Sequence, residues 1–531
     1  MNAVSRPGGL RLQSRSAVFL VVCGVVVGMV AAGLGIPFIF GKPLSSSRGP
    51  GISELHTATG GAAPTSGTAG RAPGSLPGEG SLTGATPGGS GPGGPGSVLP
   101  AGGGPAAPGA GTAPGPGAGS LTAGSGAPAS APLTSSDVGV TPTAIRLGVL
   151  LIDLGGVGKL GFGIPGFDPK TEQGFYSAFI DRINAGGGVL GRKIVPDFIT
   201  YDPTQENSMD AACLKATQDD HDFAVIDGGG VSGTAQLCVT EQNQTPLVTV
   251  GAVGTPEGFY QQGKGRLFTL FESGLRSMSN MAWFLNQQGY LKGKTIGILD
   301  DTAPGDAQTV TDSAVAVLSR LGYKVAYRAD MSSDASTEQS QTPVAVQQMR
   351  AHGVNAVFLL TGLVETTEFV QAAANSGYTP AYFATDWQSQ TADLAVENMP
   401  ESFQAVAVTS IRLGEWRVNM PDSAVDVQCR QTYNQASGAN YQPSNSNYEA
   451  LMFSCGLVNM FSESAGKAGA NLTRAGLAAA LQGLGPLSLP YFGSGSFHAG
   501  KYDAADAVRT LRFQYACKCW EPIDGFVPPQ Y

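Results

Sequence analysis

Short apolar runs alternate with segments of helical spacing along the chain after Pro142. Ala144–Ile152 has the pattern of a buried strand, and Lys170–Asn184 follows it with apolar side chains on one helical face. Strand–helix alternation with right-handed crossovers predicts an α/β fold whose doubly wound parallel sheets carry helices on both faces. The pattern restarts after Phe271, which predicts two similar lobes. Further strands are predicted at 193–201, 223–226, 247–250, 295–299, 324–329, 356–360, 382–384 and 508–515.

The N-terminal region has the pattern of a membrane anchor. Ala17–Phe40 contains no charged residue and, as a helix, is long enough to cross the ~30 Å hydrocarbon core. Arg6, Arg11 and Arg15 precede it, which predicts a cytoplasmic tail at 1–16 and an extracytoplasmic remainder in a single-pass cell-membrane protein. The alternatives are a cleaved signal peptide and a lipoprotein acylated at Cys23, although Val22 stands where a small residue is expected.

Residues 41–142 are predicted to be a disordered tether. Gly and Pro together make 21% of the chain, and much of this excess lies in the segment, which has no Phe, Tyr or Trp. Such a composition offers too little apolar surface to offset the entropy of ordering. The tether would hold the folded part away from the membrane, or it is a spacer of no particular length.

The charge of the chain is divided between its two parts. The first 136 residues carry a net +4, so the total of −9 leaves −13 on the remainder. An acidic globular part repels phosphate backbones, so nucleic acid is excluded as a partner.

Several turns in the folded part resemble one known family. The Gly-rich stretch from Ile183 to Ile194 is similar to the helix-to-strand turn of type 1 periplasmic binding proteins, most closely the branched-chain amino acid (leucine/isoleucine/valine) binding family of ABC importers. Leu147–Leu150, Ala224–Ile226, Ser232–Thr234 and Gly322–Val325 stand where that family has early strands, a ligand loop and a second-lobe turn. The resemblance covers about residues 143–531.

The resemblance implies two lobes joined by a three-crossover hinge, with a ligand between them and closure on binding. It assigns 143–271 and 405–487 to lobe 1, and 272–404 and 488–531 to lobe 2. Such a protein captures a small molecule for an ABC importer permease. The alternatives are a sensing receptor domain of the same fold that signals through a partner, and an envelope protein whose cleft has lost its ligand.

The candidate ligand residues of lobe 1 lie in two loops that follow strands. Gly228–Thr234 occupies the position of the family's ligand loop, where Ser232, Gly233 and Thr234 would offer N–H groups to an anion. The alternative is that Ser232 or Thr234 only caps a helix. Ala252 and Gly254 follow the next strand, and Gly254 stands where relatives often place a Thr.

The candidates of lobe 2 are Asp386 and Trp387. Asp386 stands where the family supplies a carboxylate to an ammonium group, with a helix cap as the alternative, and Trp387 would stack on a ligand or cover the edge of the cleft. Asp300–Gly305 replaces the Tyr-Gly that covers the ligand in relatives. The departures at Gly254 and in this segment predict that leucine, isoleucine and valine are not bound tightly.

The cysteines outside the anchor are predicted to form disulfides. Six cysteines in an exported chain favour disulfides over metal. Cys213 and Cys238 lie on consecutive crossover helices and are predicted to pair, and Cys429 and Cys455 also lie on successive helices. Cys517 would pair with Cys519 or elsewhere.

The remaining motifs do not point to an enzyme. Gly156–Gly161 matches a dinucleotide fingerprint but begins too far before a helix, and is interpreted as a loop at the mouth of the cleft, where Phe162 or Phe167 could cover a ligand. The four histidines show no metal-binding spacing, and no nucleophile–base arrangement is present. We therefore expect a binding protein without cofactor, metal or catalytic residues.

Overall fold

The computed structural model describes residues 132–155, 168–332, 335–412, 422–445 and 447–531. Within these ranges no helix is long and apolar enough to cross a membrane. The predicted tail, the anchor at Ala17–Phe40, the tether up to residue 131 and the fingerprint at Gly156–Gly161, with Phe162 and Phe167, lie outside them.

The strands alternate with helices as the sequence predicts, and the nine predicted strands are found within a few residues of their expected bounds. Five strands were not predicted, at Leu267–Thr269, Gln404–Thr409, Gly485–Leu487, Gly495–Phe497 and Cys519–Pro522. In chain order the strands are β1 (Ala144–Ile152), β2 (Lys193–Tyr201), β3 (Ala224–Asp227), β4 (Leu247–Thr249), β5 (Leu267–Thr269), β6 (Ile296–Asp301), β7 (Val325–Met331), β8 (Ala356–Leu360), β9 (Ala381–Thr385), β10 (Gln404–Thr409), β11 (Gly485–Leu487), β12 (Gly495–Phe497), β13 (Arg509–Gln514) and β14 (Cys519–Pro522).

The helices connect these strands, and three of them contain a π-helical turn. These turns are Lys215–Asp219, Cys238–Gln242 and Thr311–Val315, and a 3₁₀ turn spans Trp387–Ser389. The α-helices are α1 (Pro169–Ala185), α2 (Glu206–Leu214), α3 (Gly233–Leu237), α4 (Glu257–Gln262), α5 (Gly274–Gln287), α6 (Asp306–Val310), α7 (Ala316–Arg320), α8 (Ala335–Ala351), α9 (Leu363–Asn375), α10 (Asp393–Val396), α11 (Ala424–Ser437), α12 (Tyr448–Ala468) and α13 (Arg474–Gln482).

Two parallel sheets form the centres of two lobes. Lobe 1 is built on the all-parallel sheet β2-β1-β3-β4-β5. Lobe 2 is built on the sheet β14-β13-β10-β9-β8-β6-β7, in which β13 runs opposite to the other strands and pairs antiparallel with both β10 and β14. Apolar clusters cover both faces of each sheet, which confirms the predicted α/β architecture with two lobes.

The boundaries differ from the prediction at three places. Residues 488–503, which were assigned to lobe 2, belong to lobe 1, because β12 pairs with β11, and Phe492 and Phe497 pack in the apolar cluster that contains β1. β10 pairs with β9 and β13, so residues 405–409, which were assigned to lobe 1, belong to the sheet of lobe 2. The folded part also begins before Pro142. The Ser136 hydroxyl donates to the Leu472 carbonyl, and the Asp137 carboxylate accepts from the Arg474 N–H. These contacts tie the end of the predicted tether to lobe 1.

The Gly-rich turn after α1 shows why its sequence is distinctive. Gly188 has φ +76°, and a Cβ there would lie 2.0 Å from the Arg192 carbonyl oxygen, so no other residue fits. The Asn184 side chain accepts from the Ile194 N–H and donates to its carbonyl, both at 2.8 Å. The turn therefore fixes the connection from helix α1 to strand β2.

Three crossovers connect the lobes: 270–273 after β5, 410–412 after β10, and 504–508 before β13. The first and third lie side by side, because the Ala504 N–H donates to the Thr269 carbonyl at 2.8 Å. The Asp503 carboxylate accepts from the Ser273 N–H at 2.7 Å and from Arg276 Nη1 at 2.8 Å. This buried ion pair fixes the start of α5 against the third crossover.

Disulfides join neighbouring elements in both lobes. Cys213 at the end of α2 is bonded to Cys238 after α3, and Cys429 of α11 is bonded to Cys455 of α12. Cys517 is bonded to Cys519 in the turn between β13 and β14.

Candidate cleft between the lobes

Two loops at the carboxyl ends of β3 and β4 form the wall of lobe 1. Open α/β sheets bind ligands at this edge. The loops touch each other: Gly230 has φ +92°, and a Cβ there would lie 3.1 Å from the Val253 nitrogen and 3.3 Å from the Ala252 nitrogen. Gln236 ties them together, since its amide donates to the Val231 carbonyl at 2.8 Å and to Thr255 Oγ1 at 3.2 Å.

Asp227 organises the first of these loops. Its buried carboxylate accepts from the N–H groups of Gly230 at 2.8 Å and Val231 at 2.6 Å, and from Thr249 Oγ1 at 2.7 Å and the Tyr201 hydroxyl at 2.9 Å. Burial raises the pKa of Asp227, while these hydrogen bonds oppose the rise. Asp227 is therefore a positioning residue that holds the shape of the loop.

Two predicted side chains of this loop, those of Ser232 and Thr234, lie against helix α2. The Thr234 hydroxyl lies 3.1 Å from Glu206 Oε1 and 3.4 Å from Asp210 Oδ1, and Ser232 Oγ lies 3.7 Å from Met209 Sδ. Both side chains thus contact α2. Ser232 is the residue before α3, but its side chain makes no capping hydrogen bond there, and Gly233 is the first residue of the helix.

Asp386 follows β9 in lobe 2, and its carboxylate is engaged by the protein itself. It accepts from the Ser410 N–H at 2.7 Å, Ser410 Oγ at 2.6 Å, Thr409 Oγ1 at 2.5 Å and Thr391 Oγ1 at 2.7 Å. Burial raises the pKa of Asp386, and these donors oppose the rise. The Asp386 carboxylate thus joins the end of β9 to the second crossover, and its contact with a ligand ammonium stays a prediction.

Trp387 packs between two glycines. Its side chain is 2% exposed, and a Cβ at Gly254 or Gly274 would lie 2.4 or 2.2 Å from its ring. Gly254 belongs to the loop after β4, so the ring of a lobe 2 residue lies against lobe 1. Of the two roles foreseen for Trp387, it has the covering one in this conformation.

The residues after Trp387 complete the contact between the lobes. Ser389 Oγ donates to the Ala252 carbonyl at 2.7 Å, and the Gln388 amide donates to Asp306 Oδ2 at 3.0 Å. Gln388 and Ser389 have φ of 54° and 58°, in the left-handed region that non-glycine residues rarely adopt. The structure thus brings Ala252, Gly254 and Trp387 together through Ser389, which the sequence analysis missed.

Carboxylates line the carboxyl-end edge of the lobe 2 sheet. Asp301 ends β6, and Thr361 is the next register position on the adjacent β8, since Asp300 pairs with Leu360. A Cβ on Gly362 would lie 2.3 Å from Glu365 Oε2, so that carboxyl group covers the end of β8. Asp306 begins α6 at the same edge. The sequence analysis pointed only to the Asp300–Asp301 part of this wall, because these residues belong to the segment that replaces the Tyr-Gly of relatives.

The electrostatics of this wall follow from burial among like charges. Burial, with smaller contributions from Asp301 and Asp300, raises the pKa of Asp306 to about 8. Burial, with Asp301 and Glu368 nearby, raises the pKa of Glu365 to about 7. The ion pair with Arg328 opposes the effect of burial on Asp300, whose pKa is raised to about 6. Near neutral pH Asp306 and part of Glu365 therefore keep their protons, and a positively charged or hydrogen-bond-donating ligand group would favour their ionised forms.

Among the residues that the structure describes, no group of three His, Cys, Asp or Glu side chains is arranged as metal ligands. The opposed loops of the two sheets are an arrangement for binding: they can enclose a small molecule, exclude water and separate again through the crossovers.

Comparisons with known proteins agree with this geometry. A 4-hydroxybenzoate-bound solute binding protein of an ABC transporter from R. palustris has a TM-score of 0.56 at 11% identity, covering 73% of this chain and 98% of its own. A leucine binding protein from Thermotoga maritima has a TM-score of 0.55 at 15% identity, covering 73% and 99%. A fatty acid ABC transporter substrate-binding protein from Thermomonospora curvata has 0.53 at 14%, covering 75% and 95%.

These identities show a shared fold. No protein in a search of curated sequences matches the chain. The family model described as periplasmic binding protein matches residues 166–514, well over half of the chain. The match confirms the resemblance drawn from the Gly-rich turn, and the chain belongs to the periplasmic binding protein family.

Proposed function

We propose that the protein is an extracytoplasmic solute-binding protein that captures a small organic ligand between its two lobes and delivers it to an ABC importer. The observation that supports this most directly is the contact of Ala252 and Gly254 with Trp387 and Ser389 across the carboxyl ends of two parallel sheets. Relatives of this fold are described as binding leucine, 4-hydroxybenzoate or a fatty acid, all small organic solutes.

The ligand is proposed to present hydrogen-bond donors to lobe 2. Asp301, Asp306 and Glu365 offer a ligand carboxylate no cation, so the burial of its charge against them would cost several kcal/mol. Leucine, isoleucine and valine are expected to bind weakly, because Asp386 is engaged by four donors and Gly254 offers no hydroxyl. Leucine therefore serves as the reference compound in a screen.

A thermal-shift screen of the full-length protein in detergent micelles tests the function. Amino acids, amides, amines, short-chain acids and sugars are added in turn, and a ligand at 100 times its Kd stabilises by ~2.7 kcal/mol. A true cleft ligand should lose affinity in Glu365→Gln and keep it in Glu463→Gln, whose carboxylate is exposed on α12. A hit that is insensitive to both substitutions would not occupy the proposed cleft.

The importer role has its own test. A strain without this protein should lose uptake of the cleft ligand and regain it with the wild-type chain but not with Glu365→Gln. Normal uptake in the deletion strain, with a changed transcriptional or signalling response to the ligand, would favour a receptor instead.

The membrane topology also remains a proposal: a cytoplasmic N-terminus, one span at Ala17–Phe40 and an extracytoplasmic remainder. N-terminal sequencing of the mature protein should find the first residues of the chain. A mature chain that begins near Gly41 would replace the anchor by a cleaved signal.

A further inference from the structure

A pocket lies on lobe 2 at the edge of the sheet opposite to the cleft. Its lining includes Ala381 and Gln404, the first residues of β9 and β10, whereas the cleft loops follow the last residues of these strands. Each strand of five or six residues rises ~3.3 Å per residue, which separates the two edges by roughly 15–20 Å. The pocket is thus distinct from the cleft.

The floor of the pocket is apolar and buried. Phe383 and Val406 are register neighbours on one face of the sheet and are 2% and 8% exposed, and the centre of the Phe383 ring lies 6.4 Å from that of Tyr290. The pocket has a volume of about 350 Å³, in the range of sites for small organic molecules. The floor is a preformed apolar surface for the body of such a molecule.

The rim of the pocket carries two cations. Lys294 and Arg512 line it, and neither forms an ion pair among the residues that the structure describes. Arg512 Nη2 donates to the Tyr290 hydroxyl at 3.3 Å, which leaves most of its N–H donors free. Glu401 is the one acidic residue of the lining.

The turn between β13 and β14 completes the rim. Tyr515 lines the pocket, and Lys518 Nζ lies 3.8 Å from the centre of its ring. The Cys517–Cys519 disulfide closes the turn around Lys518, whose φ is 52°. The disulfide thus limits the motion of the turn, and a third cation stands beside the rim.

We propose that this pocket is a second binding site, separate from the cleft, for a small carboxylate with an apolar body. The body would lie on Phe383 and Val406, and the carboxylate would pair with Arg512 and Lys294, since Arg512 projects from the same face of the sheet as these two residues. The lining holds two cations, Lys294 and Arg512, and one carboxylate, Glu401. Its net positive charge favours an anion over a cation or a neutral solute of the same shape. The proposal does not rest on the function assigned to the cleft.

Titration of the full-length protein with benzoate tests the proposal, using saturation-transfer NMR and calorimetry up to ~10 mM. Benzamide and benzylamine keep the ring and change the charge. Benzoate should bind at least tenfold more tightly than either, since a hydrogen bond to a charged group is worth about a factor of ten or more.

Variants locate the site. Arg512→Gln and Lys294→Gln should each weaken benzoate binding roughly tenfold, and Lys324→Gln, an equal charge change at the exposed start of β7, should leave it unchanged. Glu365→Gln in the cleft wall should also leave it unchanged. Absence of benzoate binding, equal binding of benzamide, or loss of binding in Glu365→Gln rather than Arg512→Gln would each overturn the proposal.

Discussion

Asp227 and Asp386 stand at the carboxyl ends of β3 and β9, one in each lobe. Each is buried and accepts at least four hydrogen bonds from the protein, so each fixes the chain that leaves its strand. Sequence position alone suggested a ligand contact for Asp386. The donors that engage it come from Thr391, Thr409 and Ser410, which no local pattern brings together with it.

Removal of the Asp386 carboxylate should destabilise the protein. Asp386→Ala leaves buried donors without an acceptor, and we expect the free energy of unfolding to fall by about 3 kcal/mol. Asp330→Ala, which removes an exposed carboxylate paired with Arg328, should cost at most ~1 kcal/mol. Urea unfolding measures both. Unchanged stability together with lost ligand binding would return Asp386 to the role of a ligand contact.

Gly254 is expected to be the glycine that tolerates substitution least in the cleft. Gly254→Ala combines φ +85° with a Cβ 2.4 Å from the Trp387 ring, so we expect a loss of more than ~3 kcal/mol. Gly289→Ala has a similar φ, +80°, with nothing within 4 Å, and should cost only ~1 kcal/mol.

A second substitution isolates the ring contact. Trp387→Ala in the Gly254→Ala background should cost less than the sum of the single changes, because the clash disappears with the ring. Additive losses would show that the backbone conformation, and not Trp387, sets the requirement for glycine.

At the scale of elements, the sequence predicted most strands, because apolar runs such as Ala144–Ile152 are long and end at turn residues. It predicted neither β10 nor the pairing of that strand in lobe 2, since sheet order depends on contacts distant in sequence. The residues of the cleft were also predicted only in part. Loops after β3 and β4 were identified, whereas Ser389, Asp306 and Glu365 were missed because their roles arise only when two lobes or two strands meet.

The contribution of each disulfide to the free energy of unfolding should depend on the number of residues between its two cysteines. Cys213 and Cys238 are 25 residues apart, and Cys517 and Cys519 are 2 apart. Replacement of the first pair by alanine should cost about 3 kcal/mol, and replacement of the second pair about half of that, because a longer loop restricts the unfolded chain more. Guanidinium unfolding of the two double variants measures this. Equal losses would contradict the loop-entropy explanation.

At the scale of the whole molecule, the acidic wall of lobe 2 should make stability depend on pH. Glu365 has a pKa of about 7 in the folded protein, raised from 4.5, and Asp306 about 8, raised from 3.8. Between the unfolded and the folded pKa of each group, the folded state holds a proton that the unfolded state has released, so the free energy of unfolding falls as pH rises. For Glu365 this fall extends from about pH 4.5 to 7, and for Asp306 it extends from about pH 4 to 8.

Urea unfolding between pH 5 and 8.5 measures this slope. Glu365→Gln and Asp306→Asn should each make it shallower, and Glu463→Gln, at an exposed site, should not. A stability that rises across this range in the wild type and is unaffected by either substitution would contradict the assignment.

The contact between the lobes has an energetic cost, because Gln388 and Ser389 adopt a left-handed backbone conformation. Each left-handed residue stores ~1 kcal/mol, and the Ser389–Ala252 hydrogen bond helps to hold this conformation. When the lobes separate, both residues can return to an unstrained backbone conformation. A ligand that draws the lobes together must restore the strained conformation, so the strain energy reduces the free energy of ligand binding. About 2 kcal/mol corresponds to a roughly thirtyfold range of apparent affinity. Replacement of Gln388 by glycine could therefore lower the solute concentration to which the protein responds, while the Ser389–Ala252 hydrogen bond is kept.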